Sequence, residues 1–450
     1  MASITSEDLA PRTRLLLGAP VLPMLLRLSA PNLAEALARV TFLTADAVFV
    51  SWLGGDALAA VSIVFPLLLI FQTSTASGFG AGVSASIGRA LGAGDRAGAS
   101  RLAGTAVALA LLAGAVSSAL LVPLGPGLYR LMGAKDVALE LAIAYGTVIF
   151  SGIVFVWLMN IMANVARGAG NMVVSASAIF VGEACHLVLS PALILGWGPF
   201  PQLGVVGAAL GALSAYAVGA TILAVHLFSH RALARVERLR VGAQETRAIL
   251  DIGAPAAASS VAFWIATFFT AGLVGQLGSA SVAAFGMATR LEAIQYPIIF
   301  AFGSAVVTMV ATAMGAGDRA RAARVAWTGC VVAALIAAAF SVVGVFGELW
   351  MALFTTDRDI RAVGALYLVT QAPIFPLFGA GVAAFFACTG LGIARSPFVV
   401  SLARLAIVAG GGWLALKMTG GAWPVFLAMA AGGALFGVGL LAILRRQVGR

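Results

Sequence analysis

Long stretches of this chain contain no Asp, Glu, Lys or Arg, among them residues 57–88, 102–129, 141–166, 184–230, 252–289, 362–394 and 418–444. An α-helix crosses the hydrocarbon core of a bilayer in about 20 apolar residues, so most of these runs hold one span each. The run 184–230 holds most of two, separated by the turn-forming segment Gly196-Trp-Gly-Pro-Phe-Pro-Gln-Leu-Gly204. Strands of a membrane barrel would alternate apolar and polar residues over about 10 positions, whereas these runs are apolar on every side. Only 10% of the residues are charged, against about 25% in a soluble domain. The 53 glycines suit close helix packing in lipid. The chain reads as an all-α integral membrane protein of about twelve transmembrane helices. These are placed at 24–53, 57–87, 102–124, 138–165, 171–195, 204–228, 248–276, 281–312, 322–347, 362–391, 397–416 and 422–444.

The net charge of +10 is a topology signal and not a nucleic-acid surface, because the basic residues sit in short loops. Most of them, including Arg89, Arg96, Arg101, Arg231, Arg235, Arg319, Arg324, Arg445 and Arg446, fall on the side that both termini share. The positive-inside rule makes that side cytoplasmic and predicts a multi-pass protein of the inner or plasma membrane. Residues 1–20 do not read as a cleavable signal peptide. The odd set Cys185, Cys330 and Cys388, all within apolar runs, argues against disulfides or a zinc site. No metal or cofactor is expected.

Residues 230–247, with five arginines and two glutamates, follow six spans and precede six. They divide the chain into an N-terminal lobe (1–229), a cytoplasmic linker (230–247) and a C-terminal lobe (248–450). The lobes repeat each other at an offset of 222–224 residues. Ala30-Pro31 recurs as Ala254-Pro255, Leu53-Gly54 as Leu277-Gly278, Gly92-Ala-Gly-Asp-Arg-Ala97 as Gly315-Ala-Gly-Asp-Arg-Ala320, and Gly168 and Gly170 as Gly390 and Gly392. Six spans per half is an even number, so both halves share one orientation and relate by an axis along the membrane normal, with a cavity between them.

These landmarks resemble the multidrug and toxic compound extrusion (MATE) family. Ala45-Asp-Ala-Val-Phe-Val-Ser-Trp-Leu-Gly-Gly-Asp-Ala-Leu-Ala-Ala60 is similar to the junction of that family's first two helices, and Gly88–Asp95 to its second-to-third-helix loop. Ala166–Gly170, Ser190-Pro191 and Gly204–Ala209 resemble its fourth-to-sixth-helix pattern. Gly253-Ala-Pro255 and Met314–Asp318 repeat the theme, and the likeness runs from about residue 24 to 444. It implies two six-helix bundles in a V shape. The implied activity is export of amphipathic, cationic organic compounds or drugs in exchange for H⁺ or Na⁺, by a monomer embedded in lipid, with no nucleic-acid partner.

An ionisable side chain at mid-membrane costs roughly 2.5–3.5 kcal/mol on insertion scales, so it faces a partner or a wet cavity. At 100° per residue, Glu35, Arg39 and Asp46 share one face of the first helix. Glu35 and Arg39 are spaced to pair, while Asp46 aligns with the acid that the resemblance assigns to cation coupling. Glu183, His186 and Ser190 share a face of the fifth helix. Where many prokaryotic relatives offer Asn and an acid, this chain has His186 and Ser190, and the sixth-helix Thr position is Ala212. An imidazole titrates near neutrality, so the set Asp46, Glu183, His186 and Ser190 is expected to couple transport to H⁺ in preference to Na⁺. Glu35, Arg39, Asn160, Asn164 and Arg290 are candidates for the cavity wall. Arg290 and Arg404 are expected to form structural pairs in the second lobe, with substrate contact as the alternative, and Phe263, Trp264, Phe268 and Met287 suit flat amphipathic compounds. A lipid-linked saccharide flippase of the same superfamily is the alternative, and would need a large cationic cavity. No nucleophile cluster or HExxH-like spacing points to an enzyme, and no filter-like motif points to a channel.

Overall fold

The computed structural model describes residues 9–449, the side chains of residues 40–43 excepted. Its transmembrane helices are α1 (Val21–Ser51), α2 (Gly55–Gly92), α3 (Arg96–Leu131), α4 (Asp136–Ser151, continued after a 44° bend by Ile153–Gly168), α5 (Met172–Leu195) and α6 (Val205–Phe228) in the first half. The second half holds α7 (Ala243–Gly275), α8 (Ser279–Gly315), α9 (Arg319–Val345), α10 (Arg358–Leu391), α11 (Arg395–Thr419) and α12 (Ala422–Val448). Among the described residues, ten of these are individually long and apolar enough to span, and the bent pair in α4 makes eleven. Helix α1 carries Arg27, Glu35, Arg39 and Asp46, which lower its hydropathy. Its 31 residues nonetheless reach about 46 Å at 1.5 Å per residue.

Local chemistry explains the repeated landmarks. Gly94 and Gly317 adopt φ of +72° and +77°, the left-handed conformation that ends a helix and favours glycine. The next residues, Asp95 and Asp318, cap the following helices by accepting from Gly98 N (2.6 Å) and Arg321 N (2.8 Å). Gly54 and Gly278 make the other paired turn, at φ +100° and +101°. Each Gly-Ala-Gly-Asp motif is therefore a helix stop followed by a helix start.

The apolar cores divide near residue 250. One gathers side chains from Val50 to Ile249, the other mainly from Ile252 to Leu444, with Leu16, Ala85, Met172 and the start of α1 added from the first half. Helix α1 belongs to both. Leu25 and Leu28 near its start are buried in the second core, and Val50 near its end is buried in the first. The linker does not float free. Ala234 and Val236 are buried in the first core, and Thr105 of α3 donates to the Arg240 carbonyl at 3.0 Å.

The lobes form a V. They join where the second part of α2 packs on α7 and α8, through small residues and backbone. A methyl group at Gly82 would lie 2.6 Å from Gly253 Cα, one at Gly92 would overlap the Thr312 carbonyl, and one at Gly315 the Arg89 carbonyl. Ser86 donates to Ala248 O (3.1 Å) and Thr308 to Arg167 O (3.0 Å) across the same seam. At the opposite end a methyl group at Gly54, Gly55, Gly275 or Gly278 would meet nothing within 4 Å. The short helix Pro11–Gly18 is pinned at the joined end by Arg321, which donates to Leu16 O (2.7 and 3.0 Å) and Ala19 O (2.6 Å).

Candidate functional site

Two polar clusters lie inside the first lobe. In the first, His186 Nε2 of α5 is 3.1 Å from Asp46 Oδ1 of α1, and its Nδ1 is 3.7 Å from Glu183 Oε2, one turn earlier on α5. All three side chains are 10–15% exposed. A neutral imidazole has one N–H, so only the doubly protonated ring can donate toward both carboxylates. The cluster can hold a proton on any of three groups. Ser190 lies one turn beyond His186 with its Cα and Cβ against Gly211 of α6, and its buried hydroxyl has no hydrogen-bond partner among the described residues.

In the second cluster, Glu35 Oε1 is 3.4 Å from Arg39 and its Oε2 is 2.8 Å from Arg167 of α4. The expected Glu35–Arg39 pair is present, and a second guanidinium shares the acid. Arg39 also interacts electrostatically with Glu183. Arg39 is therefore paired with Glu35 and feels the charge of Glu183, which belongs to the first cluster. Asn160 Nδ2 donates to Thr75 (2.8 Å), and Asn164 Nδ2 donates to Ala76 O (3.0 Å). Both partners lie in the π-helical segment Ser74–Phe79 of α2, where Asn164 satisfies a carbonyl of the locally widened backbone and Asn160 the Thr75 hydroxyl.

A cavity of about 520 Å³ separates the lobes. Glu35, Arg39, Asn160, Asn164 and Arg167 line it from the first lobe. Arg290 does not line it. It is exposed and sits over the Phe354 ring at 5.2 Å. Arg290 and Glu292 are two positions apart on a helix and point in different directions, which sends Glu292 inward. There Glu292 accepts from Tyr296 (2.6 Å) and from Tyr367. The structural pairing expected of Arg290 and Arg404 is absent among the described residues. Phenols occupy both oxygens of the buried acid, and each arginine stacks on phenylalanine instead. Phe263 and Trp264 line the cavity, edge to face at 5.6 Å. Among the described residues no three His, Cys, Asp or Glu side chains are placed to hold a metal ion.

Sequence reasoning missed Arg167 as the main partner of Glu35, having placed it in a cytoplasmic segment. The available signal was its spacing. Asn160, Asn164 and Arg167 fall at i, i+4 and i+7, one face of a helix.

The MatE family model matches residues 31–192 and 255–414, one copy in each half. This chain belongs to the MATE family. It is a secondary transporter of small organic compounds, not an enzyme, and a multi-pass membrane protein. Among its relatives is the FAD transporter of Shewanella oneidensis, 30% identical over 411 residues, 87% of each protein. The probable multidrug resistance protein NorM of Thermotoga maritima is 26% identical over 354 residues, 76% of this chain and 74% of that protein. In three dimensions the chain resembles a multidrug resistance MATE transporter in an outward-facing conformation, with a TM-score of 0.88, 26% identity and 98% of both chains covered. It is equally similar to a MOP-superfamily transporter from Pyrococcus furiosus described as having a binding pocket of reverse polarity, at 25% identity and TM-score 0.88 over 98% of both chains.

Proposed function

We propose that this MATE transporter exports flat amphipathic organic compounds in exchange for protons, and that Asp46, Glu183 and His186 hold the coupled proton. The single observation that carries this reading is the imidazole with a carboxylate at each nitrogen, buried in the first lobe. An imidazole between two carboxylates can take up and release a proton, whereas Na⁺ asks for several hard oxygen ligands. Ser190 packed against Gly211, and Ala212 in place of a Thr, leave the site poor in these. Uptake of a proton makes the cluster less negative and weakens its hold on Arg39. That in turn changes the balance of Arg39 and Arg167 around Glu35 at the wall.

With both termini cytoplasmic, the joined end faces the cytoplasm and the open end faces out. The protein then sits in the inner or plasma membrane in an outward-open state. The cavity volume falls within the range of about 300–1,000 Å³ usual for drug-sized ligands, which favours small molecules over a lipid-linked saccharide. The cationic substrate expected from the family's usual activity finds little to hold it. Among the described residues the one acid on the main cavity wall, Glu35, is already shared by two arginines. One proton moving down about 100 mV supplies about 2.3 kcal/mol, roughly a 50-fold gradient of a neutral substrate.

The test uses purified protein in liposomes with an imposed pH gradient, following riboflavin (neutral) and ethidium (cationic), with and without a Na⁺ gradient. Uptake is expected to require the pH gradient, to ignore Na⁺ and to vanish in Asp46→Asn. Transport driven by Na⁺ alone, or unchanged in the variant, would overturn the coupling assignment.

A further inference from the structure

Arg404 of α11 enters the second-lobe wall where the main cavity meets a side chamber of about 230 Å³. It is 8% exposed. Its guanidinium carbon sits over two neighbouring rings, 4.6 Å from the Phe263 centroid and 5.5 Å from that of Phe378. Its N–H groups have no hydrogen-bond partner among the described residues. Nε is buried without a hydrogen-bond partner, and no carboxylate lies within ion-pair distance among the described residues. The nearby acid Glu292 interacts with Arg404 electrostatically, but both of its oxygens are taken by Tyr296 and Tyr367. A buried polar group without a partner is disfavoured. An arginine seated over two rings, bordering a cavity and without a protein partner for its N–H groups, can receive an anion in charge-assisted hydrogen bonds.

The surroundings narrow the ligand further. Phe263, Trp264, Tyr296 and Phe378 border both the chamber and the cavity, and aromatic side chains of this kind stack on flat ring systems. Across the main cavity, Arg39 and Arg167 share the single carboxylate of Glu35, so the wall as a whole is positive.

We propose that the second-lobe end of the cavity is an anion-anchoring subsite, in which Arg404 binds the carboxylate, sulfate or phosphate of a flat aromatic substrate whose rings lie on Phe263 and Trp264. The proposal rests on the central cavity being the substrate path. It does not depend on which group carries the coupled proton.

Riboflavin and flavin mononucleotide share one fluorescent ring system and differ by a phosphate, so their ratio isolates the anchor. Binding of each is measured by fluorescence quenching on purified protein in detergent. Charge-assisted hydrogen bonds of this kind correspond to a preference of about tenfold or more. Wild type is expected to prefer the phosphorylated flavin by that factor, and Asp46→Asn to keep the preference, which separates anchoring from coupling. Arg404→Gln is expected to reduce it to about threefold or less with riboflavin binding unchanged, and Arg404→Lys to retain part of it. Failure of the phosphorylated flavin to bind, equal binding of the two flavins by wild type, or a preference that survives Arg404→Gln would each overturn the proposal. If Arg404→Gln does not purify as a folded protein, the wild-type ratio and Arg404→Lys decide. A ratio near one in wild type, or a Lys variant with no preference at all, overturns the anchor.

Discussion

Replacing Gly92 by Ala should prise the joined end of the V apart. Gly92 ends α2 against the Thr312 carbonyl of α8, and Gly315 ends α8 against the Arg89 carbonyl of α2. Residues 312 and 315 are the repeat equivalents of 89 and 92, so one contact is made twice, once in each direction. A methyl group at either glycine meets backbone, which no change of rotamer can move aside. Adding atoms to a packed contact costs about 1–3 kcal/mol, which moves the equilibrium between joined and separated ends by about 5–150-fold. Alanine also favours helix over glycine by roughly 0.5–1 kcal/mol. That gain is present in both arrangements and cancels. The two contacts lie in one seam, so the first substitution relieves the clash of the second, and the double variant should shift less than the sum of the singles. Spin labels on cysteines placed at the exposed positions Arg96 and Arg319, with Cys185, Cys330 and Cys388 replaced by Ala, report the separation by pulsed electron resonance. Wild type should give one short distance, and Gly92→Ala and Gly315→Ala should each add a longer one. Gly127→Ala, with nothing within 4 Å, serves as control. Unchanged distributions in both glycine variants, or a fully additive double variant, would refute the reasoning.

Glu35→Gln leaves Arg167, 10% exposed and 2.8 Å from the lost charge, as a buried unpaired cation. Breaking such a pair costs about 3–5 kcal/mol, and the unfolding midpoint in detergent should fall by several degrees. Adding Arg167→Gln should recover part of the loss, and an unrecovered double variant would show that the pair is not the cause. Arg321→Gln removes the donors to the Leu16 and Ala19 carbonyls and should speed amide exchange across Pro11–Gly18 while leaving α9 protected. Unchanged exchange would mean that packing alone holds this helix.

The lobes, their spans and the first-lobe cluster were legible because each rests on a periodicity. Charge-free runs mark spans, a constant offset marks duplication, and a 100° step places Glu183 with His186 and Glu35 with Asp46 on single faces. What the step does not reveal is contact between helices. Nothing in the order of residues brings His186 to Asp46 across 140 positions, and Arg167 hid because its helix runs to Gly168, further than the loop assignment allowed. Arg404 was visible as an intramembrane charge, yet its environment was not. That Tyr296 and Tyr367 take the oxygens of Glu292, leaving the arginine without a carboxylate partner among the described residues, depends on the meeting of α8, α10 and α11.

Duplication kept the joints and changed the chemistry. Gly54, Gly92, Gly94 and Asp95 recur as Gly278, Gly315, Gly317 and Asp318, with the same turns, caps and close approaches. The charged face of α1 does not recur. At the offset of 224, Glu35, Arg39 and Asp46 correspond to Ser259, Phe263 and Thr270 of α7. Ser259 and Thr270 bond to their own helix backbone (2.9 Å each), and Phe263 becomes the ring on which Arg404 stacks. In the proposed cycle the first lobe handles protons and the second holds rings and an anion, so something must connect them. Helix α1 is the element placed to do so. Its early turns are buried with α8 in the second core, where Asn32 reaches the Ala301 carbonyl at 3.5 Å, and its later turns carry Asp46 to His186. A proton arriving at that cluster acts on a helix that both lobes grip, and Pro31, which leaves one backbone hydrogen bond of α1 unmade, sits directly beside the Asn32 grip.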